Sequence, residues 1–128
     1  MMEEEGTVSL WIGRTPSEAA LDAAVEVTSS EDGDFLGCDF SRGFAIEYFD
    51  QDYIEAVYRE KPSNDFAELF EGASFHEVIV DRFRAIGQID EPVNCFILLF
   101  NFRYSGTVKS ASMGDGVSMR FFGAVSYE

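Results

Sequence analysis

The stretch that most constrains this chain is Val93 to Tyr104, VNCFILLFNFRY. Apolar side chains occupy odd and even positions alike from Cys95 to Phe100, so neither face of an extended strand there suits water. The run falls well short of the ~20 residues that cross a bilayer. It reads as a central strand covered on both faces, and the other elements must supply that cover.

Those elements can be placed from local chemistry. Thr7 to Gly13, TVSLWIG, has strand composition. Thr15, Pro16 and Glu18 have the spacing of an N-cap, a first helical residue and a capping-box acid, which predicts a helix to about Val27. Thr28 to Asp34 is turn chemistry, and Phe35 to Ser41 reads as an irregular connection. Gly43 to Tyr48 is expected to be a strand. Tyr53 to Arg59 fits a helix or a strand equally well. Asp65 to Glu71 predicts a short helix, and Ser74 with Glu77 predicts a cap for a second one over Phe75 to Ile86. That helix is expected to bury Phe75, Val78, Ile79, Phe83 and Ile86, with Gly87 ending it. Val117 to Tyr127 reads as a last strand. The order predicts an α+β fold: a mostly antiparallel sheet of about four to five strands packed with two to three helices in a single layer. Residues 1–128 are expected to form one domain, with residues 1–6 flexible.

Charge narrows the function classes. The chain carries 24 acids against 9 bases, a net of −15. Residues 1–60 hold 15 acids and 3 bases, a net of −12, which leaves only −3 for the rest. Such a field repels nucleic acid and anionic membrane and speeds encounter with basic partners. MMEEEG lacks the basic-then-apolar pattern of a signal peptide, and two cysteines make no disulfide framework. Both point to a cytoplasmic protein with free thiols.

Acids and aromatics are interleaved most densely over Gly43 to Glu60, GFAIEYFDQDYIEAVYRE. Tyrosine buries a ring while keeping a polar tip, and unpaired carboxylates stay at the surface. The segment is therefore expected to hold one face in the core and present the other. Enzymatic readings of it are poorly supplied. A calcium loop starting at Asp32 would have Leu36 at the fifth position and Gly43 at the twelfth, where a bidentate Glu belongs. Asp50 and Asp52, joined by the single histidine His76, give the runner-up reading, a small metal-dependent hydrolase or ligand-binding domain. No glycine-rich phosphate loop and no basic aromatic patch is present in the sequence. A self-associating adaptor is a third reading, although a monomer is favoured.

Several segments carry a family resemblance. VSLWIG at 8–13 followed by SEAALD, FAIEYFDQDYIEA at 44–56, ASFHEVIV at 73–80, NCFILLFNFRY at 94–104 and FFGAVSY at 121–127 resemble the immunity protein 22 family of bacterial polymorphic-toxin loci. The resemblance implies a small cytoplasmic α+β protein that neutralises a cognate toxin domain by stoichiometric binding, without catalysis or cofactor. Joined to the charge, it makes a basic nuclease the expected partner. The expected contact residues are Glu47, Asp50, Asp52, Tyr53 and Glu55, with Glu31, Asp32 and Asp34 as a second acidic patch.

Overall fold

A computed structural model of the chain describes residues 2–128. Strand β1 (Glu3–Arg14) leads into helix α1 (Glu18–Ala24) and a small hairpin of β2 (Thr28–Ser29) and β3 (Phe35–Gly37). Helix α2 (Asp39–Gly43) follows, and a 3-10 turn over Gln51–Tyr53 opens β4 (Ile54–Ser63). The chain closes with α3 (Phe66–Leu69), α4 (His76–Ile86), β5 (Val93–Phe102), β6 (Ser110–Met113) and β7 (Val117–Ser126). The large sheet is antiparallel throughout, in the order β4-β5-β1-β7-β6.

The α+β class and the antiparallel sheet agree with the sequence reading, but the helices do not form a single layer. Among the described residues there are four, and they lie on both faces. Trp11, Ile97, Leu99 and Met119 pack with Ala20, Leu21 and Phe40 of α1 and α2 on one face. Val8, Leu10, Phe96 and Leu98 pack with Phe66, Leu69, Ile79, Val80 and Phe83 of α3 and α4 on the other. The cause is the strand that is apolar at every step. Burying both of its faces requires two covers, and burial of one such side chain stabilises by roughly 1.5–3 kcal/mol. Trp11 lies fully buried, ringed by Phe40 at 4.8 Å, Tyr104 at 5.5 Å and Phe121 at 5.3 Å between centroids.

Local chemistry explains where other expectations shift. Strand β1 reaches back to Glu3, inside the segment expected to be flexible, and Glu3 pairs with Phe102. The cap of α1 is Ser17, whose side chain accepts from the Ala20 amide, and the helix ends at Ala24. Gly43 to Tyr48 is not a strand. Helix α2 ends at Gly43, Ala45 turns left-handed at φ 55°, the Ala45 amide donates to Arg42 and the Ile46 amide to Ser41. Those two bonds make a Schellman stop. Its apolar residues Phe44, Ile46 and Phe49 are buried without belonging to a sheet. Tyr53 to Arg59 resolves as the 3-10 turn running into β4, whose Ile54, Ala56 and Tyr58 pack on the first core and Val57 on the second.

Candidate functional site

Asp50 to Glu55 lie where β4 begins beside the end of β5, with Ile54 paired to Leu99. Asp50 caps the 3-10 turn, its Oδ1 accepting from the Asp52 amide at 2.9 Å. The carboxylates of Asp50 and Asp52 are therefore both exposed, but only Asp50 is held by the backbone. Glu55 faces the α3–α4 side, where its Oε2 accepts from the Ser74 amide at 3.3 Å.

Three adjoining hollows run across this end of the sheet. One is bordered by Glu3, Glu47 and Tyr48, the next by Glu3, Tyr48, Asp50, Tyr53 and Asn101, the third by Asp52, Tyr53, Glu55, Phe75 and Tyr127. Shared walls at Tyr48 and Tyr53 join them into a trough. No lysine or arginine borders any of the three. Among the described residues, five large apolar or aromatic side chains stay exposed, and three of them, Tyr48, Tyr53 and Phe75, line this trough. Scattered surface aromatics need no explanation, whereas a contiguous set marks a contact surface.

The second acidic patch is tethered to the first. Glu31, Asp32 and Asp34 sit exposed on the tip between β2 and β3, where Gly33 adopts φ 86°. Phe35, the next residue, packs edge-on against Tyr48 at 5.0 Å and Phe49 at 5.5 Å. That aromatic contact ties the hairpin to the segment that carries Glu47 and Asp50.

Most of the chain's arginines are engaged elsewhere. Its ion pairs among the described residues are Arg42–Asp39, Arg84 with Asp65 and Asp81, and Arg103–Glu4. Arg59 donates to the Leu69 and Glu71 carbonyls. None of the eight expected contact residues has an intramolecular ion-pair partner there, so the negative field at the trough is not neutralised from within.

The Asp50, Asp52 and His76 grouping is not assembled. Asp50 and Asp52 border different hollows, and His76 borders neither. The His76 Nδ1 lies 3.0 Å from the Ala73 carbonyl, which can only accept, so the ring proton sits on that nitrogen. Among the described residues, no group of three or more His, Cys, Asp or Glu side chains is placed to hold a metal ion. No helix among them is long and apolar enough to cross a membrane.

Sequence reasoning missed Phe75 as a surface residue. Helical spacing assigns it to the buried stripe, but it stands before α4 in the left-handed region at φ 59°, outside that spacing. Its side chain is half exposed, as is that of Ile86 at the other end of the helix. Glu3 and Tyr127, drawn in from the two ends of the chain, were not foreseeable from local pattern at all.

The fold and the trough define a small α+β protein that gathers exposed aromatics and acids at one end of its sheet. Comparison with protein families gives that class a narrower identity. Residues 8–128 match the family described as Immunity protein 22, and the chain belongs to that family. Membership points to toxin neutralisation by binding a cognate toxin, a non-enzymatic role. Searches of curated proteins and of solved structures return no match.

Proposed function

We propose that this protein is a cytoplasmic immunity protein that neutralises a cognate polymorphic or contact-dependent toxin, a basic nuclease, by stoichiometric binding through the trough. The observation that carries the reading is the coincidence at one site of exposed aromatics and unpaired acids. Tyr48, Tyr53 and Phe75 offer desolvatable area, and Glu47, Asp50, Asp52 and Glu55 offer charge. Aromatic anchors dominate interface energies, and complementary charge raises association rate and specificity. A nuclease holds phosphates with positive surface, which is the complement of this one. The hairpin acids Glu31, Asp32 and Asp34 extend the same field and belong to the contact surface.

The test is co-expression with the toxin encoded beside it. Growth rescue, a 1:1 complex on co-purification and loss of nuclease turnover on mixing are the expected results. A neighbouring toxin that neither binds nor is inhibited at stoichiometric excess overturns the assignment.

A further inference from the structure

The third hollow has a more specific chemistry than the rest of the trough. It encloses about 300 Å³, small for a ligand site. Its floor is a cluster of three rings: Phe75 lies 4.7 Å from Tyr127 and 5.7 Å from Phe100, and Phe100 lies 5.1 Å from Tyr127, between centroids. Phe75 leaves about half of its surface open, at 53 % exposure. Asp52 and Glu55 stand at the rim. Glu55 spends Oε2 on the Ser74 amide, which fixes the carboxylate, and among the described residues neither Glu55 Oε1 nor the Asp52 carboxylate accepts a bond.

We infer that this hollow is a socket for one arginine side chain of the protein's partner. The inference rests on the binding role proposed above and names the group that the site would take. A guanidinium is planar, so it stacks on an aromatic face while its edge donates to carboxylates. An ammonium is more strongly hydrated and lacks the flat face. An apolar side chain would bury against the rings but strand two desolvated carboxylates. Only a flat cation satisfies rings and acids together. The Tyr127 ring is held in place before binding, since its hydroxyl donates to Asn101 Oδ1 at 2.6 Å.

The socket can be tested without any toxin. N-acetyl-arginine amide is titrated into the whole protein and followed by amide chemical shifts, beside its lysine, leucine and citrulline counterparts. The expected result is saturable shifts centred on Asp52–Glu55 and Ser74–His76, with citrulline about tenfold weaker and Glu55→Gln weakened to a similar degree. Equal binding of citrulline, stronger binding of the lysine or leucine probe, or no saturable shift at these residues overturns it. The two readings fail separately. Arginine binding without toxin capture removes the immunity assignment and leaves the socket. Toxin capture unchanged by the paired substitution Asp52→Asn with Glu55→Gln does the reverse.

Discussion

The side-chain oxygen Oδ1 of Asn101 accepts from the Tyr127 hydroxyl at 2.6 Å and from the Gly6 amide at 3.1 Å. One side chain on β5 thereby ties together the starts and ends of the two strands it never pairs with at that point. Asn101 itself is left-handed at φ 58°, where the pairing of β1 with β5 shifts register. Asparagine tolerates that region better than most residues. Tyr127→Phe is expected to cost about 1 kcal/mol, the usual worth of one such bond. Asn101→Val, β-branched and without either bond, should cost more, on the order of 3 kcal/mol. Urea unfolding followed by fluorescence of Trp11, the only tryptophan, reads both.

Ala45 holds the left-handed position of the Schellman stop, where glycine is the usual occupant. A Cβ there costs roughly 1–2 kcal/mol. Ala45→Gly should therefore stabilise the protein, by about 0.5–1 kcal/mol after glycine's greater loss of backbone freedom. A higher urea midpoint with an unchanged slope is the expected outcome.

Asp50 and Asp52 should separate on mutation, although they look alike in sequence. Asp50→Ala removes a cap and is expected to cost about 0.5–1 kcal/mol of stability as well as binding. Asp52→Asn and Glu47→Gln touch no intramolecular bond. They should leave the melting temperature in place and slow toxin association by about two- to tenfold at low salt. Stopped-flow association rates at two salt concentrations check this, since the loss should shrink as salt screens the field.

Asp65 accepts from Arg84 at 2.9 Å and from the Ala67 amide at 3.2 Å. These bonds hold its carboxyl below the ordinary value of 3.8, the Arg84 bond most of all. A depressed carboxyl stabilises the fold at pH above that value, and the gain is lost as pH falls through the lower folded value. Asp65→Asn should therefore lower the melting temperature at pH 7 and have a shrinking effect as pH falls below about 4. A melting-temperature series from pH 7 to 3 for both proteins gives the difference.

Burial pushes the Cys95 thiol up to about 12, against a small opposing pull from Arg14. Its sulfur lies 3.5 Å from the Met119 sulfur, and Cys38 is buried as well. Thiolate is the reactive form. Neither thiol should react with Ellman's reagent in native buffer at pH 8, and both should do so promptly in 6 M guanidinium chloride.

How much of this was legible depended on how local the cause was. Val93–Phe102 announced itself because its pattern admits only a doubly covered strand. Gly87 marks the true end of α4, and Asp65 the true start of α3. The alternation of Phe44 and Ile46 with Ala45 and Glu47 misled because a helix stop and a buried irregular segment give the same spacing as a strand. Ser110–Met113 carries almost no signal, being a polar edge strand paired on one side only. The acids of the trough were legible as surface; the third hollow was not. Its rings come from residues 75, 100 and 127, and only the folded sheet brings them into contact.

The placement of β1 has a kinetic consequence. This strand comes early in the chain, yet its two neighbours in the sheet are β5 and β7, with Ser9 opposite Leu99 on one side and Ala124 on the other. Contacts so distant along the chain must overcome a large loop-closure entropy, and sheets built from them fold slowly, in milliseconds to seconds. During synthesis, VSLWIG waits unpaired and sticky until some eighty later residues exist. Protection against a toxin would then lag the start of translation by the time needed to reach the last strand. Losing that strand would leave a bare edge on the middle of the sheet rather than a slightly weaker protein.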